Sequence, residues 1–246
     1  MTEEEYLASY DDSRYAKPSV TVDSIIFTMN EQQNLEVLLI RRGGHPFLGK
    51  WAIPGGFVNL DESLDHAAAR ELLEETGLEG LYLEQLYTFG AVDRDPRTRV
   101  ISVAYLALVP KSRLRVQAGD DASQADWFEL LEREGNLLLQ NRQRKRILQE
   151  SELAFDHAVI LKKGLQRLRS KLEYTDIALE LLKDKQRFSI YELQRIQEAI
   201  LGKQLDVANF RRDFKKKYID TGRAEKTEEK CYEYSKRPSN YYRMKK

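Results

Sequence analysis

A single cysteine, Cys231, excludes an intrachain disulfide framework and fits a reducing interior. Long apolar runs are missing: stretches such as Ile101 to Val109 are far too short to span a bilayer. The start, Met1-Thr2-Glu3-Glu4-Glu5, has neither the basic nor the apolar region of a secretory leader, so a cytoplasmic location is expected. His45, His66 and His157 are too scattered for a histidine metal cluster. Net charge is absent too, with 40 basic and 40 acidic side chains, and no internal repeat or low-complexity stretch occurs.

What is present is enough for one large or two modest domains: 246 residues, of which 41% are hydrophobic and 33% charged. The zero balance hides an asymmetry. From Lys203 to Lys246 there are fourteen Lys or Arg against seven Asp or Glu, so a basic C-terminus follows an acidic body. A basic tail of this kind suits a polyanion, although charge alone fits a solvated surface equally well.

The most informative stretch runs from Gly56 to Leu78. Leu64, Ala68 and Leu72 recur every four residues, which predicts a helix over about Leu64 to Thr76. Asp61 or Ser63 can cap its start, and Gly77 stands where a left-handed C-terminal cap belongs. Glu71, Glu74 and Glu75, three and four apart, should then share one face. A solvated acidic face is the ordinary outcome for such a run. Here a Pro54-Gly55-Gly56 turn precedes it, able to bring a backbone carbonyl close to a cation, and Arg70 can brace loop and helix through bidentate hydrogen bonds. Oxygen-only ligands suit Mg²⁺ or Mn²⁺.

Written as G-x5-E-x7-R-E-L-L-E-E-x-G-L, this stretch resembles a complete Nudix box. The resemblance implies hydrolysis of a nucleoside diphosphate linked to a further group. It implies Glu71 and Glu75 as main metal ligands, with Glu74 supporting them or taking a proton from water. The Gly55 carbonyl would join the coordination, and Glu62 would assist a second metal. It also implies an α/β/α sandwich with a mixed sheet, which agrees with apolar, β-branched strands expected at Val20–Thr28, Leu35–Ile40, Trp51–Ile53, Leu81–Phe89, Arg99–Val109 and Ala125–Glu129. A helical pattern follows from Glu150 to Leu172.

Four further patches resemble the branch of Nudix proteins acting on ADP-ribose and related NAD metabolites: Arg41 to Phe47, Phe89 to Arg97, Ala118 to Ala122, and Leu153-Ala154-Phe155-Asp156-His157. Arg94 and Arg97 are suited to clamp a diphosphate. Arg42 and Gly56 join them as candidate substrate contacts, and Phe47 or Trp51 could stack on adenine. Aromatics beside glycine turns are, however, more often core, and His157 is better read as a structural cap than a catalyst. Asp120 or Asp121 could complete the catalytic set.

Beyond Tyr174 the pattern changes. A helix is expected from Tyr174 through Leu182, and a second begins at a Ser189 cap with Tyr191, Leu193, Ile196 and Ile200 on its apolar side. A third spans Val207 to Tyr218, with Phe210 and Phe214 inward and Asn209, Arg211, Arg212 and Lys215 available to phosphates or base edges. Lys236-Arg237-Pro238 and Tyr241-Tyr242-Arg243 read as two sides of a β-wing. Together these make a winged helix-turn-helix, and their order resembles the C-terminal half of Nudix-related transcriptional regulators of the NrtR type. The expected organisation is an arm at 1–18, a Nudix domain at 19–173 and a winged helix at 174–246. Because every box carboxylate is present, a Mg²⁺-dependent hydrolase of ADP-ribose, yielding AMP and ribose 5-phosphate, ranks first. A regulator that senses such a metabolite and binds double-stranded DNA ranks second. Both readings suggest a homodimer.

Overall fold

The computed structural model describes residues 1–110, 122–233 and 238–245. A short capped helix, α1 (Glu3–Ser9), buries none of its side chains. Strand β1 (Ser19–Met29) then forms the middle of a large sheet, with eight consecutive buried residues from Val22 to Met29. Such continuous burial is the mark of a strand covered on both faces. Strands β2 (Leu35–Arg42), β3 (Trp51–Ala52), β4 (Gly55–Phe57), β5 (Tyr82–Phe89), β6 (Val100–Leu108), β7 (Ala122–Arg133), β8 (Asn136–Asn141) and β9 (Arg146–Gln149) complete it. The order is β5-β6-β1-β2-β7-β8-β9, with β3 on β2 and β4 on β1. Among the described strand pairs of this sheet β1 and β6 run parallel and the others antiparallel, so the sheet is mixed, as expected.

Alternation along β1 decides which helix covers which face. Ile25, Phe27 and Met29 pack with Ile160, Leu161, Leu165 and Leu168 of α3 (His157–Tyr174). Val22 and Ile26 point the other way, onto Ala67, Ala68 and Leu72 of α2 (Leu64–Thr76). Helix α2 has the predicted bounds; Ser63 rather than Asp61 caps it, accepting from the His66 N–H at 3.2 Å, and Gly77 closes it at φ +69°.

Helix α3 starts later than its periodicity suggests. Glu150–Glu152 is a separate 3₁₀ turn, and the helix begins only at His157. The Ala154 N–H donates to the Trp51 carbonyl at 2.7 Å, and Phe155 adopts φ +50°, which a right-handed helix does not allow. The helix expected from Tyr174 likewise shrinks to a 3₁₀ turn, Ile177–Leu181. Asp176 makes no cap there, because its carboxylate accepts from the Tyr218 hydroxyl at 2.6 Å and pairs with Lys217 at 3.0 Å.

The C-terminal elements are β10 (Phe188–Ser189), α4 (Ile190–Leu201), α5 (Val207–Phe214), a π-type turn (Lys215–Ile219), β11 (Ala224–Cys231) and β12 (Ser239–Met244). They form a three-stranded sheet, β10-β12-β11, beside two helices: a winged helix. Tyr241-Tyr242-Arg243 lies on one wing strand, β12, as expected, and β12 pairs with β10 and β11. Lys236 and Arg237 fall outside the described residues. The sequence Ala-Glu-Lys-Thr-Glu-Glu-Lys-Cys hides β11 because only its ends, Ala224 and Cys231, are buried. Its acids are matched by nearby cations: Glu229 takes Arg187 at 2.6 Å, and Glu225 takes Arg243 and Lys245.

Phe188, Leu193, Ile196, Ile200, Phe214 and Tyr218 belong to the same apolar cluster as Leu165 and Leu168 of α3. The two sheets therefore share a core. Arg169 reinforces the seam, donating to the Ile200 carbonyl at 2.8 Å while pairing with Glu132 of β7 at 2.7 Å. Ser189 caps α4 by accepting from the Glu192 N–H at 3.0 Å and is fully buried. Ser189→Ala is expected to cost about 1 kcal/mol, the usual loss of such a cap, measurable by urea unfolding. Among the described residues no helix is long and apolar enough to cross a membrane.

Candidate functional site

A cleft of about 340 Å³ opens where β4, α2 and the start of α3 meet. Strand β4 lies against β1, with Gly55 opposite Asp23 and Gly56 opposite Val22. Side chains have no room here: a Cβ at Gly56 would run into the Glu71 carboxylate, and one at Gly55 into the Val22 carbonyl. The glycines let the strand press onto the acidic helix.

Arg70 is the hub of that helix. It donates to both oxygens of Glu62 (2.8 and 3.1 Å), to Glu71 (2.8 Å), to Glu74 (3.3 Å) and to the Phe57 carbonyl (3.3 Å). This is the expected bracing of loop and helix. It also sets how the carboxylates are disposed. Glu71 and Glu75 turn inward and are buried, whereas the Glu74 side chain is 53% exposed. Among the described residues no three acidic, histidine or cysteine side chains converge into a cation cage. Mutual repulsion favours drawing three of the carboxylates onto one guanidinium. Glu62 has both oxygens engaged, since it also accepts from the Asn59 N–H at 2.9 Å, and the Arg70 guanidinium holds its pKa down at about 2. A ligand role at a second metal does not fit so committed a carboxylate.

Glu75 is different. Its Oε2 is buried without a hydrogen-bond partner. Burial, then the charges of Glu71 and Glu74, push its pKa up to about 7. Burial also raises that of Glu71. An orphaned carboxylate oxygen beside a second buried carboxylate, in an all-oxygen setting, fits a hard divalent cation. Glu71 and Glu75 would hold it, with the half-exposed Glu74 on the same helix.

Across the cleft lie the candidate ligand contacts. Arg97 pairs with Asp95 at 2.8 Å but keeps 44% of its side chain exposed, within 6 Å of the Phe57 and Phe155 rings. Arg42 donates to the Pro46 carbonyl at 2.8 Å and sits 4.9 Å from the Phe155 ring centre. Phe47 meets Phe155 edge-on at 4.7 Å. Trp51 is only 2% exposed and packs edge-on against Phe128 at 4.8 Å, so it belongs to the core and offers no face to a base. Arg94 lines the cleft yet is nearly buried, donating to Asp156 at 2.6 and 3.0 Å and to Asp23 at 3.4 Å.

Asp23, Phe155 and Asp156 received no role in the sequence reading. Asp23 carried a signal, since a carboxylate inside an apolar strand needs a buried partner. His157 is structural, as expected: its Nδ1 accepts from the Ile53 N–H at 2.8 Å, and burial lowers its pKa, keeping it neutral. His157→Leu strands that buried N–H and is expected to cost about 1–3 kcal/mol, read as a lower urea midpoint. Asp120 and Asp121 lie outside the described residues.

The second candidate surface is α5. Asp206 caps it by accepting from the Asn209 N–H at 2.8 Å. Phe214 is buried against Phe188 and Tyr242, and Phe210 is partly buried. Asn209, Arg211 and Arg212 are exposed along the helix, and Lys215 follows at the first position of the π-type turn. Arg237 cannot be placed with them because it lies outside the described residues.

Two family models match the chain: the NUDIX domain over residues 17–150 and the NrtR DNA-binding winged helix domain over 178–244. The chain is 36% identical to the ADPR responsive transcriptional repressor NtrR of Acinetobacter baylyi, over 99% of this chain and 88% of that protein. It is 40% identical over 148 residues to an ADP-ribose pyrophosphatase of Methanocaldococcus jannaschii, covering 60% of this chain and 73% of that one. The crystal structure of Shewanella oneidensis NrtR complexed with a 27mer DNA superposes with a TM-score of 0.70 at 32% identity, covering 92% of this chain and 93% of that one.

Proposed function

From the premise that the chain belongs to the NUDIX family and ends in a winged helix of the NrtR type, we propose that it is an ADP-ribose-binding regulator of transcription. The nucleotide cleft takes ADP-ribose or a related nucleoside diphosphate, and α5 enters double-stranded DNA. The observation that carries this reading is the arrangement of α5: Phe214 anchors it in the core while Asn209, Arg211 and Arg212 stand exposed. A short helix anchored by aromatics and bearing exposed guanidinium groups is suited to phosphates and guanine edges. The protein would act in the cytoplasm as a homodimer on two half-sites.

The test is duplex selection from a random library, followed by titration with ADP-ribose. The expected outcome is an enriched sequence whose binding weakens with salt and with the metabolite. Failure to enrich any duplex removes the regulator reading.

One observation favours a second activity in the same chain, the unpartnered Oε2 of Glu75. Bound Mg²⁺ or Mn²⁺ would neutralise charge developing on the diphosphate and make a nucleophile of its water. Arg70 fixes Glu71 and Glu74 in place, Arg97 holds the diphosphate, and Glu74, half exposed, takes the proton of the attacking water. The reaction divides ADP-ribose into AMP and ribose 5-phosphate. Release of AMP with Mg²⁺, and none with EDTA, is the expected result; binding without turnover in either condition leaves a sensor only.

A further inference from the structure

The start of α3 is the one helix end in the cleft wall whose capping residue is otherwise employed. Asp156 holds the N-cap position, yet its side chain makes no capping hydrogen bond. Both of its oxygens go to Arg94, at 2.6 and 3.0 Å. The turn before it is held tightly, by the Ala154 N–H on the Trp51 carbonyl and by Phe155 at φ +50°. A left-handed aromatic residue is strained, and such strain persists where the surroundings impose it. Phe155 and His157 on either side both line the cleft.

The other end of α3 belongs to the winged helix. Leu168 shares the core with Leu193 and Phe214, and Arg169 donates to the last turn of α4. Eighteen residues at about 1.5 Å each make α3 a rod of about 27 Å between the two sites.

We infer that Asp156 is a positioning residue that couples the ligand cleft to the DNA-binding unit by exchanging partners. This rests on the regulator reading above. Without ligand, Asp156 is clamped by Arg94 and α3 is uncapped. A diphosphate entering the cleft competes for the Arg94 guanidinium, which prefers two anionic oxygens in a fork. Asp156 is then released to accept from the Ala158 N–H of the first turn, whose neighbours His157 and Val159 already donate to the Ala154 and Asp156 carbonyls. The two arrangements differ at the root of the rod, so ligand binding and the seat of the winged helix bias one another reciprocally.

The experiment measures binding of a fluorescent duplex, enriched by the wild-type protein, with and without saturating ADP-ribose. Wild type is expected to lose duplex affinity about tenfold with ligand, within the usual range of coupling. Asp156→Asn keeps a capping side chain but loses the charge that holds Arg94. It should bind the duplex without ligand about as weakly as wild type does with it, and respond to ADP-ribose less than about twofold. Asp156→Glu should restore part of the response. A wild-type response in Asp156→Asn overturns the inference while leaving the regulator reading intact. A wild-type protein that binds no duplex, or ignores ADP-ribose, overturns the regulator reading instead. Should the asparagine variant not fold, hydrogen exchange on the wild type decides: ADP-ribose is expected to slow exchange at Ala158, and an unchanged rate overturns the exchange of partners.

Discussion

Glu75→Gln is expected to slow Mg²⁺-dependent release of AMP from ADP-ribose by about 10²- to 10³-fold, the scale of losing one preorganised charge contact, while leaving the fold intact. The same substitution has a second signature in metal-free protein. The folded-state pKa of Glu75 is raised to about 7 from an ordinary 4.5, because its carboxylate is buried beside Glu71 and Glu74. A raised carboxyl pKa stabilises the fold only while the group is protonated. That contribution is complete below about pH 4.5 and is lost as pH rises through 7. Discounted for water reaching the cleft, the loss is about 2 kcal/mol. Wild type in EDTA should therefore be more stable at pH 5.5 than at pH 8, and millimolar Mg²⁺ should restore the stability at pH 8. Glutamine carries no such charge, so the variant should lose most of the decline and of the rescue, keeping only the part that Glu71 contributes. Urea melts at the two pH values, with and without Mg²⁺, settle it; a decline persisting in full in the variant would assign the effect to another group.

Removing both guanidinium groups of α5 in Arg211→Ala/Arg212→Ala is expected to weaken duplex binding by about 1–3 kcal/mol per arginine. Arg212 has 71% of its side chain exposed, with only the equally exposed Asp213 at 3.4 Å, so little of the fold depends on it. If both groups contact phosphates, the slope of log affinity against log salt falls by about two. If one reads a base, discrimination at one position of the selected site is lost instead. ADP-ribose binding in the cleft should be unchanged. Undiminished duplex affinity would clear α5 of the role and move attention to the wing.

Much of the site was legible because it lies in one contiguous run. Helix α2 announces itself by a four-residue apolar repeat, a serine cap and a glycine stop, and its Arg70 braces the loop as the fork geometry suggests. The arrangement of the carboxylates was less legible, since spacing shows which residues share a face but not that Arg70 draws Glu62, Glu71 and Glu74 onto itself. Residues that act by partnering across the fold left fainter traces. Trp51 looked like a platform and is core, because β3 carries it under the sheet edge. Asp23 and Asp156 meet at Arg94 from positions far apart in the chain, a meeting no local pattern records. The wing strand β11 was invisible for the opposite reason: its six central residues face water or other charges, so no apolar alternation betrays it. Strands β8 and β9 escaped notice although Leu137 and Leu139 alternate after a Gly135 turn at φ +80°.

The carboxylates of β11 reach further than the wing itself. Glu225 and Glu229 quench Arg243, Lys245 and Arg187, so the flank formed by the two strands is nearly neutral, whereas Arg211, Arg212, Lys215 and Lys216 leave the helical flank strongly positive. A body so lopsided carries a permanent electric moment. In the field of a polyphosphate a body of this kind would turn its cationic edge toward the charge before contact.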